Sequence, residues 1–131
     1  MPWIYERIPA FRSKRFSRFL SELNPQAKEK IIDLGGEPEF WKKSNIEMEV
    51  HCVNLDKLEF IQDEYLVKIK TSAGDCCDLF DEKDNSYDIV FSNSVIEHVG
   101  NLQRQKQFAQ NALRLGQKLW IQTPAKYFPV E

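Results

Sequence analysis

Apolar residues recur at two spacings along the chain, and the changes between them mark the elements. Phe16, Phe19, Leu20 and Leu23 share one face of a helix, with Lys14, Arg15 and Arg18 on the rest. Asn24-Pro25 ends that helix, because the residue before a proline resists helical backbone geometry. The spacing then shortens. Lys30 to Leu34 is an apolar run halted by Gly35-Gly36, which predicts a buried strand entering a turn. Pro38 suits the first turn of a helix, so a short helix is expected from about that residue. Met48 to Leu55 predicts a second strand. Tyr65 to Ile69 predicts a third, with Gly74-Asp75 closing the segment, and Tyr87 to Phe91 a fourth. Ser94 to His98 reads as a short helical or irregular stretch. Leu102 to Leu115 reads as a helix with Leu102, Phe108, Ala109, Ala112, Leu113 and Leu115 mainly on one side, and Gly116 ends it. Lys118 to Gln122 is the last strand, ended by Thr123-Pro124.

Strands that alternate with helices or helix-length links favour a parallel sheet with helices on its faces. Right-handed crossovers then bring every strand's C-terminal end to one edge, and the ligand crevice of such a sheet lies outside that edge.

Composition narrows the class. The chain of 131 residues suffices for one compact domain, taken as residues 1–131, with a cap helix over 1–25 and an α/β core over 30–131. Hydrophobic residues make up 42%, as in a folded globular protein. A net charge of −2 argues against a general nucleic-acid binder. The basic helix around Arg12 to Arg18 reads first as a solvated face. No stretch reaches the roughly 20 apolar residues that cross a bilayer, and the first ten residues lack the apolar centre of a signal peptide, so a cytoplasmic location is expected. Cys52, Cys76 and Cys77 are odd in number and two are adjacent, which suits reduced thiols better than a disulfide framework. With His51 and His98 the only histidines and no paired-cysteine motif, no metal site is expected.

The chemistry lies in what ends each strand. The first ends in Asp33-Leu34-Gly35-Gly36, the second in Asn54-Leu55-Asp56, the third leads to Gly74-Asp75, and the fourth ends in Phe91-Ser92-Asn93-Ser94. A glycine turn lets a ligand approach the backbone closely. A carboxylate after the second strand can accept bonds from both hydroxyls of a ribose. One after the third can accept from an adenine amino group. Together these describe an adenosine site without saying which adenosine compound. Plainer readings compete: Asp56 and Asp75 as turn or cap residues, Ser92 and Asn93 as caps of the next helix, and His98 as a structural histidine. Trp41, Trp120 and Cys76-Cys77 read as core.

The segments IIDLGGEPEFW, VNLD, GDCCDLF, YDIVFSNSVIEHVG and LWIQTPAKYFPVE, in that order over about residues 30 to 131, resemble the successive strand-end motifs of the class I S-adenosylmethionine-dependent methyltransferases. The resemblance implies a Rossmann-like, mainly parallel five-stranded sheet with flanking helices. It also implies S-adenosylmethionine as cofactor and S-adenosylhomocysteine as product. Asp33, Gly35, Gly36 and Glu37 would form the methionine-end loop. Asp56, beside Leu55, would bind the ribose. Asp75 would face the adenine amino group with Cys76 beside the ring, and Ser92 and Asn93 would lie under the methionine part. Glu97 and His98 would follow on the wall of the substrate cavity, with His98 the candidate base. Two departures stand out. Glu37 and Glu39 occupy places where the family's loop often has glycine. The family's fold also continues past the fifth strand with a helix and two further strands, so the topology is expected to be cut short there. The reading is a methyltransferase acting on a small-molecule acceptor, with a homodimer covering the exposed sheet edge. The alternative is a catalytically reduced binding module that needs a partner chain to complete its sheet.

Overall fold

The computed structural model describes residues 14–93 and 95–122. The start of the cap up to residue 13, Ser94, and the Thr123-Pro124 terminator lie outside the described residues. Helix α1 runs over 14–23 and is followed by strand β1 (Lys30–Leu34), helix α2 (Pro38–Trp41) and strand β2 (Glu49–Asn54). Strands β3 (Lys68–Ala73) and β4 (Tyr87–Asn93) come next, then a single 3₁₀ turn (Ile96–His98), helix α3 (Leu102–Leu115) and strand β5 (Gly116–Gln122). The sheet order is β3-β2-β1-β4-β5, and all four pairings are parallel. The expected Rossmann-like five-stranded sheet is the observed one.

Alternation along the central strands sorts the core onto two faces. Ile32, Leu34, Val53 and Val90 pack with Phe108, Ala112 and Leu115 of α3. Ile31, Val50, Cys52, Ile89 and Phe91 pack on the other side with Phe19 of α1, Trp41 of α2, and Met48 and Val67. A strand buried on both faces needs apolar residues at successive positions, which is why Lys30–Leu34 reads as a continuous run rather than an alternation.

Three local expectations are corrected. Strand β3 lies several residues beyond the Tyr65-Leu66-Val67 run, because its register is set by β2, from Glu49 beside Lys68 to Asn54 beside Ala73. Leu66 is exposed, and only Val67 of those three is buried. The outer side of β3 is blunted by a side chain: Gln62 Nε2 donates to Val67 O at 3.1 Å and its Oε1 accepts from Ile69 N at 3.0 Å. Second, the links 55–67 and 74–86 contain no helix, so α3 is the one long helix following the sheet's first strand among the described residues. Third, α3 buries Phe108, Ala112 and Leu115, whereas Leu102 and Leu113 are exposed.

Helix α3 begins at Asn101, whose Oδ1 accepts from Arg104 N at 3.0 Å. It ends without a loop. Gly116 is both its last cap and the first residue of β5, with extended backbone (φ −149°). Close approach rather than unusual dihedrals favours glycine there: a Cβ would lie 2.9 Å from Val90 Cγ2 and 3.1 Å from Tyr87 O.

Candidate functional site

Because every strand is parallel, Leu34, Asn54, Ala73 and Asn93 end at one edge of the sheet. The most structured part of that edge is the turn after β1. Gly35 continues the ladder by donating to Val53 O at 2.7 Å, then turns with φ +79°, where an added Cβ would meet Val95 Cγ2 at 2.5 Å. Gly36 is held from β2 by Asn54, whose Nδ2 donates to Gly36 O at 2.8 Å. A Cβ on Gly36 would lie 1.8 Å from Asp33 Oδ2, so the carboxyl group occupies the space a side chain would take. Pro38 then starts α2, which delivers Phe40 and Trp41 back onto the sheet.

Asp33, Gly35, Gly36, Glu37, Phe40, Phe91 and Asn93 line a cavity of about 120 Å³ at this turn. Asp33 is 2% exposed. Its Oδ2 accepts from Trp41 Nε1 at 2.7 Å, and its Oδ1 is buried with no hydrogen-bond partner among the described residues. Burial pushes the carboxyl up to about 7; the indole N–H opposes this and the charge of Glu37 adds to it. Asn93, at the end of β4, accepts from Arg15 Nη1 of α1 at 3.1 Å, which ties the cap helix to the cavity wall.

The other expected residues divide. Leu55 and Asp56 follow β2 and are exposed at the strand-end edge. Asp75, after β3, is already engaged. Its Oδ1 accepts from Cys77 N and Arg104 Nη2, both at 2.9 Å, and its Oδ2 accepts from Arg104 Nη2 at 2.8 Å. The Cys77 amide first, and the guanidinium with it, hold the carboxyl below its usual range. Cys76 is buried in the α3-side core, its thiol pushed up to about 12 by burial. Ser92 is fully buried and its hydroxyl donates to Leu34 O at 2.9 Å, so it ties β4 to β1 from within. His98 stands exposed on the 3₁₀ turn. The second histidine, His51, is buried at the far side of the sheet between Tyr87 Oη (2.8 Å) and Ser72 Oγ (2.6 Å).

Four residues at this edge escape a reading of motifs one at a time: Arg15, Trp41, Asn54 and Arg104. Asn54 closes the VNLD segment and Trp41 closes GGEPEFW, so both sit inside recognisable stretches; Arg15 and Arg104 carry no signal beyond a helical position. Two larger hollows lie away from the β1 turn, though Arg104 lines the second. One, of about 510 Å³, is lined by Lys30, Glu49, Lys68 and Tyr87, the first residues of four strands. The other, of about 560 Å³, lies between Cys77–Phe80 and the outer face of α3. Neither gathers the strand ends, so size alone does not locate the site.

Known proteins match this arrangement. The methyltransferase domain family matches residues 37–120. A Galdieria sulphuraria protein assigned as a sarcosine dimethylglycine methyltransferase superimposes with a TM-score of 0.62 at 16% identity, over 87% of this chain and 45% of its own. Phosphoethanolamine N-methyltransferase 2 of Haemonchus contortus, solved with phosphomonomethylethanolamine and S-adenosylhomocysteine, superimposes with a TM-score of 0.55 at 20% identity, over 83% of this chain and 27% of its own. The chain thus spans less than half the length of either structure. No curated protein sequence is significantly similar to it. The strand order, the glycine turn and the match over most of the sheet converge: the chain belongs to the methyltransferase domain family.

Proposed function

We propose that this chain is the cofactor-binding part of an S-adenosylmethionine-dependent methyltransferase that acts on a small-molecule acceptor. The observation that carries the reading is the β1 turn, where Gly36 cedes its side-chain space to the buried Asp33 carboxyl group, one oxygen of which has no hydrogen-bond partner among the described residues. That cradle suits the amino-acid end of an adenosyl sulfonium: the ammonium is a cation, and a side chain at Gly36 would displace the Asp33 carboxyl group that faces the cavity. Asp56, exposed after the second strand, is the residue assigned to the ribose hydroxyls in this reading. The Haemonchus protein, bound to a small phosphorylated amine and to S-adenosylhomocysteine, supports the acceptor class and the cofactor.

When bound, the sulfonium supplies an electrophilic methyl group that an acceptor's lone pair displaces in line, the C–S bond's electrons returning to sulfur as a neutral thioether. The chain's task is therefore to hold and orient. Asn54 fixes Gly36, Ser92 fixes the β1–β4 seam, and Phe40 and Phe91 wall the cavity against water. A base is required only where the acceptor must lose a proton, and His98, on the exposed turn, is the candidate. A cytoplasmic setting fits three free thiols; no helix among the described residues is long and apolar enough to cross a membrane. A second copy of the chain along the outer strand β5 is the expected partner.

The test is a thermal titration with S-adenosylhomocysteine followed by a methyl-transfer assay on small amines and carboxylates. Ligand at about a hundred times its Kd stabilises by about 2.7 kcal/mol, enough for a rise of several degrees in Tm. No rise at millimolar ligand sinks the proposal. Binding without transfer to any acceptor favours the catalytically reduced module.

A further inference from the structure

We propose that Trp41 is a positioning residue of the cofactor turn: its indole N–H holds one oxygen of Asp33 so that the other is left to receive the ligand's ammonium, and ligand entry releases a proton from Asp33 to solvent. The inference rests on the reading above and adds a residue and a coupling to it.

Trp41 is fixed independently of Asp33. It is fully buried and packs edge-on against Phe16, Phe19, Phe40 and Phe91, with ring centroids 4.9 to 5.8 Å away. The indole therefore has no freedom to follow the carboxyl group, and the 2.7 Å bond places Asp33 relative to the aromatic cluster. The missing side chain of Gly36 leaves the carboxyl group against the cavity. Among the described residues, an ionised Asp33 has one neutral donor and an unpartnered second oxygen, an expensive state in a buried place. A protonated Asp33 lacks that cost. A cation arriving beside Oδ1 reverses the balance: the carboxyl O–H breaks, its electron pair stays on Asp33, and the proton leaves to water.

Among the described residues, no group is hydrogen-bonded or ion-paired to Asp33 as that cation. Glu37 of the turn is acidic. Cys52 of β2, beside Asp33 in register, and Cys76 of the loop after β3 are thiols kept neutral by burial. From α2, Glu39 is paired with Lys42. From α1, the Arg15 guanidinium keeps its charge and is hydrogen-bonded to Asn93 Oδ1 on the cavity wall rather than to Asp33. With the carboxyl group poised at about 7, the coupling falls in the physiological range.

The experiment is calorimetric titration of S-adenosylhomocysteine into the whole chain between about pH 6 and pH 8.5, in buffers of different ionisation enthalpy. The wild type releases about half a proton per ligand near pH 7, and its affinity rises almost tenfold per unit below that pH and levels off above it. 5′-Methylthioadenosine, which lacks the amino-acid end, shows neither effect. Trp41→Phe keeps an aromatic ring but removes the donor. Its levelling-off moves upward, with affinity down about tenfold near pH 6 and less than twofold near pH 8.5. Asp33→Asn gives a weaker, pH-independent affinity. A uniform loss in Trp41→Phe across the range means mere distortion and overturns the positioning role. Wild-type binding without proton release overturns the coupling while leaving the cofactor reading intact. Failure of the wild type to bind S-adenosylhomocysteine sinks both.

Discussion

Asp33 concentrates the tension in this molecule, since a carboxyl group is buried beneath a glycine with, among the described residues, a single hydrogen-bond donor. Its effect on stability has a definite sign even without ligand. In the unfolded chain it titrates near 3.8; in the fold it is raised to about 7. Between those values the native state holds a proton that the unfolded state has released, so Asp33's contribution to stability falls as pH rises through the window and is fully lost above 7. Asp33→Asn lacks this dependence. Urea unfolding of both proteins at about pH 5 and pH 8 should show the wild type losing ground to the variant by on the order of a few kcal/mol. A constant difference between the two would mean the carboxyl group titrates normally. Asp75 runs the other way: with its carboxyl held low by Cys77 N–H and Arg104, its stabilisation is present above about 3.8 and lost as pH falls. The sequence shows both aspartates at strand ends but not this contrast. Their environments depend on Trp41, eight residues on, and Arg104, twenty-nine residues on, and no local pattern announces either pairing.

At the scale of elements, legibility follows burial. Lys30–Leu34 and Leu102–Leu115 are found at the ends the pattern predicts, because β1 is sealed on both faces and α3 has a stop signal in Gly116; the Asn101 cap at its start emerges only from the structure. β3 was misplaced because an outer strand needs little apolar character: Lys68–Ala73 carries two lysines, a threonine and a serine, and its position comes from pairing with β2. Within α3 the apolar residues outnumber the buried ones, and only packing tells them apart. Phe108 is fully buried in the α3-side core, while Leu113 is 66% exposed. Phe108→Ala should therefore cost about 3–5 kcal/mol, and Leu113→Ala should fall within about 0.5 kcal/mol of the wild type. Equal losses in denaturant unfolding would mean that α3 is turned on its axis, so that Leu113 as well as Phe108 meets the sheet.

Across the whole molecule, the two faces of one sheet do different work. The α3 face braces the strands, whereas the opposite face stacks α1 and α2 into an aromatic cluster that reaches the cofactor turn through Trp41. Stability and ligand affinity should therefore separate by face. Phe19 of α1 is fully buried against Trp41 (5.7 Å), Phe91 (5.1 Å) and Trp120 (5.8 Å). Leu115 is equally buried but lies at the end of α3 where the chain enters β5, beside the start of β4 and away from the strand-end edge. Either residue replaced by alanine removes a large core side chain and costs about 2–5 kcal/mol. The folded fraction that survives should differ in what it binds. Phe19→Ala leaves Trp41 room to move and so loosens its hold on Asp33, weakening S-adenosylhomocysteine severalfold after correction for unfolded protein. Leu115→Ala leaves that hold untouched and should match the wild type once the same correction is made. Comparable losses of affinity in both variants would show that the turn answers to overall stability, and that the aromatic cluster has no private line to it.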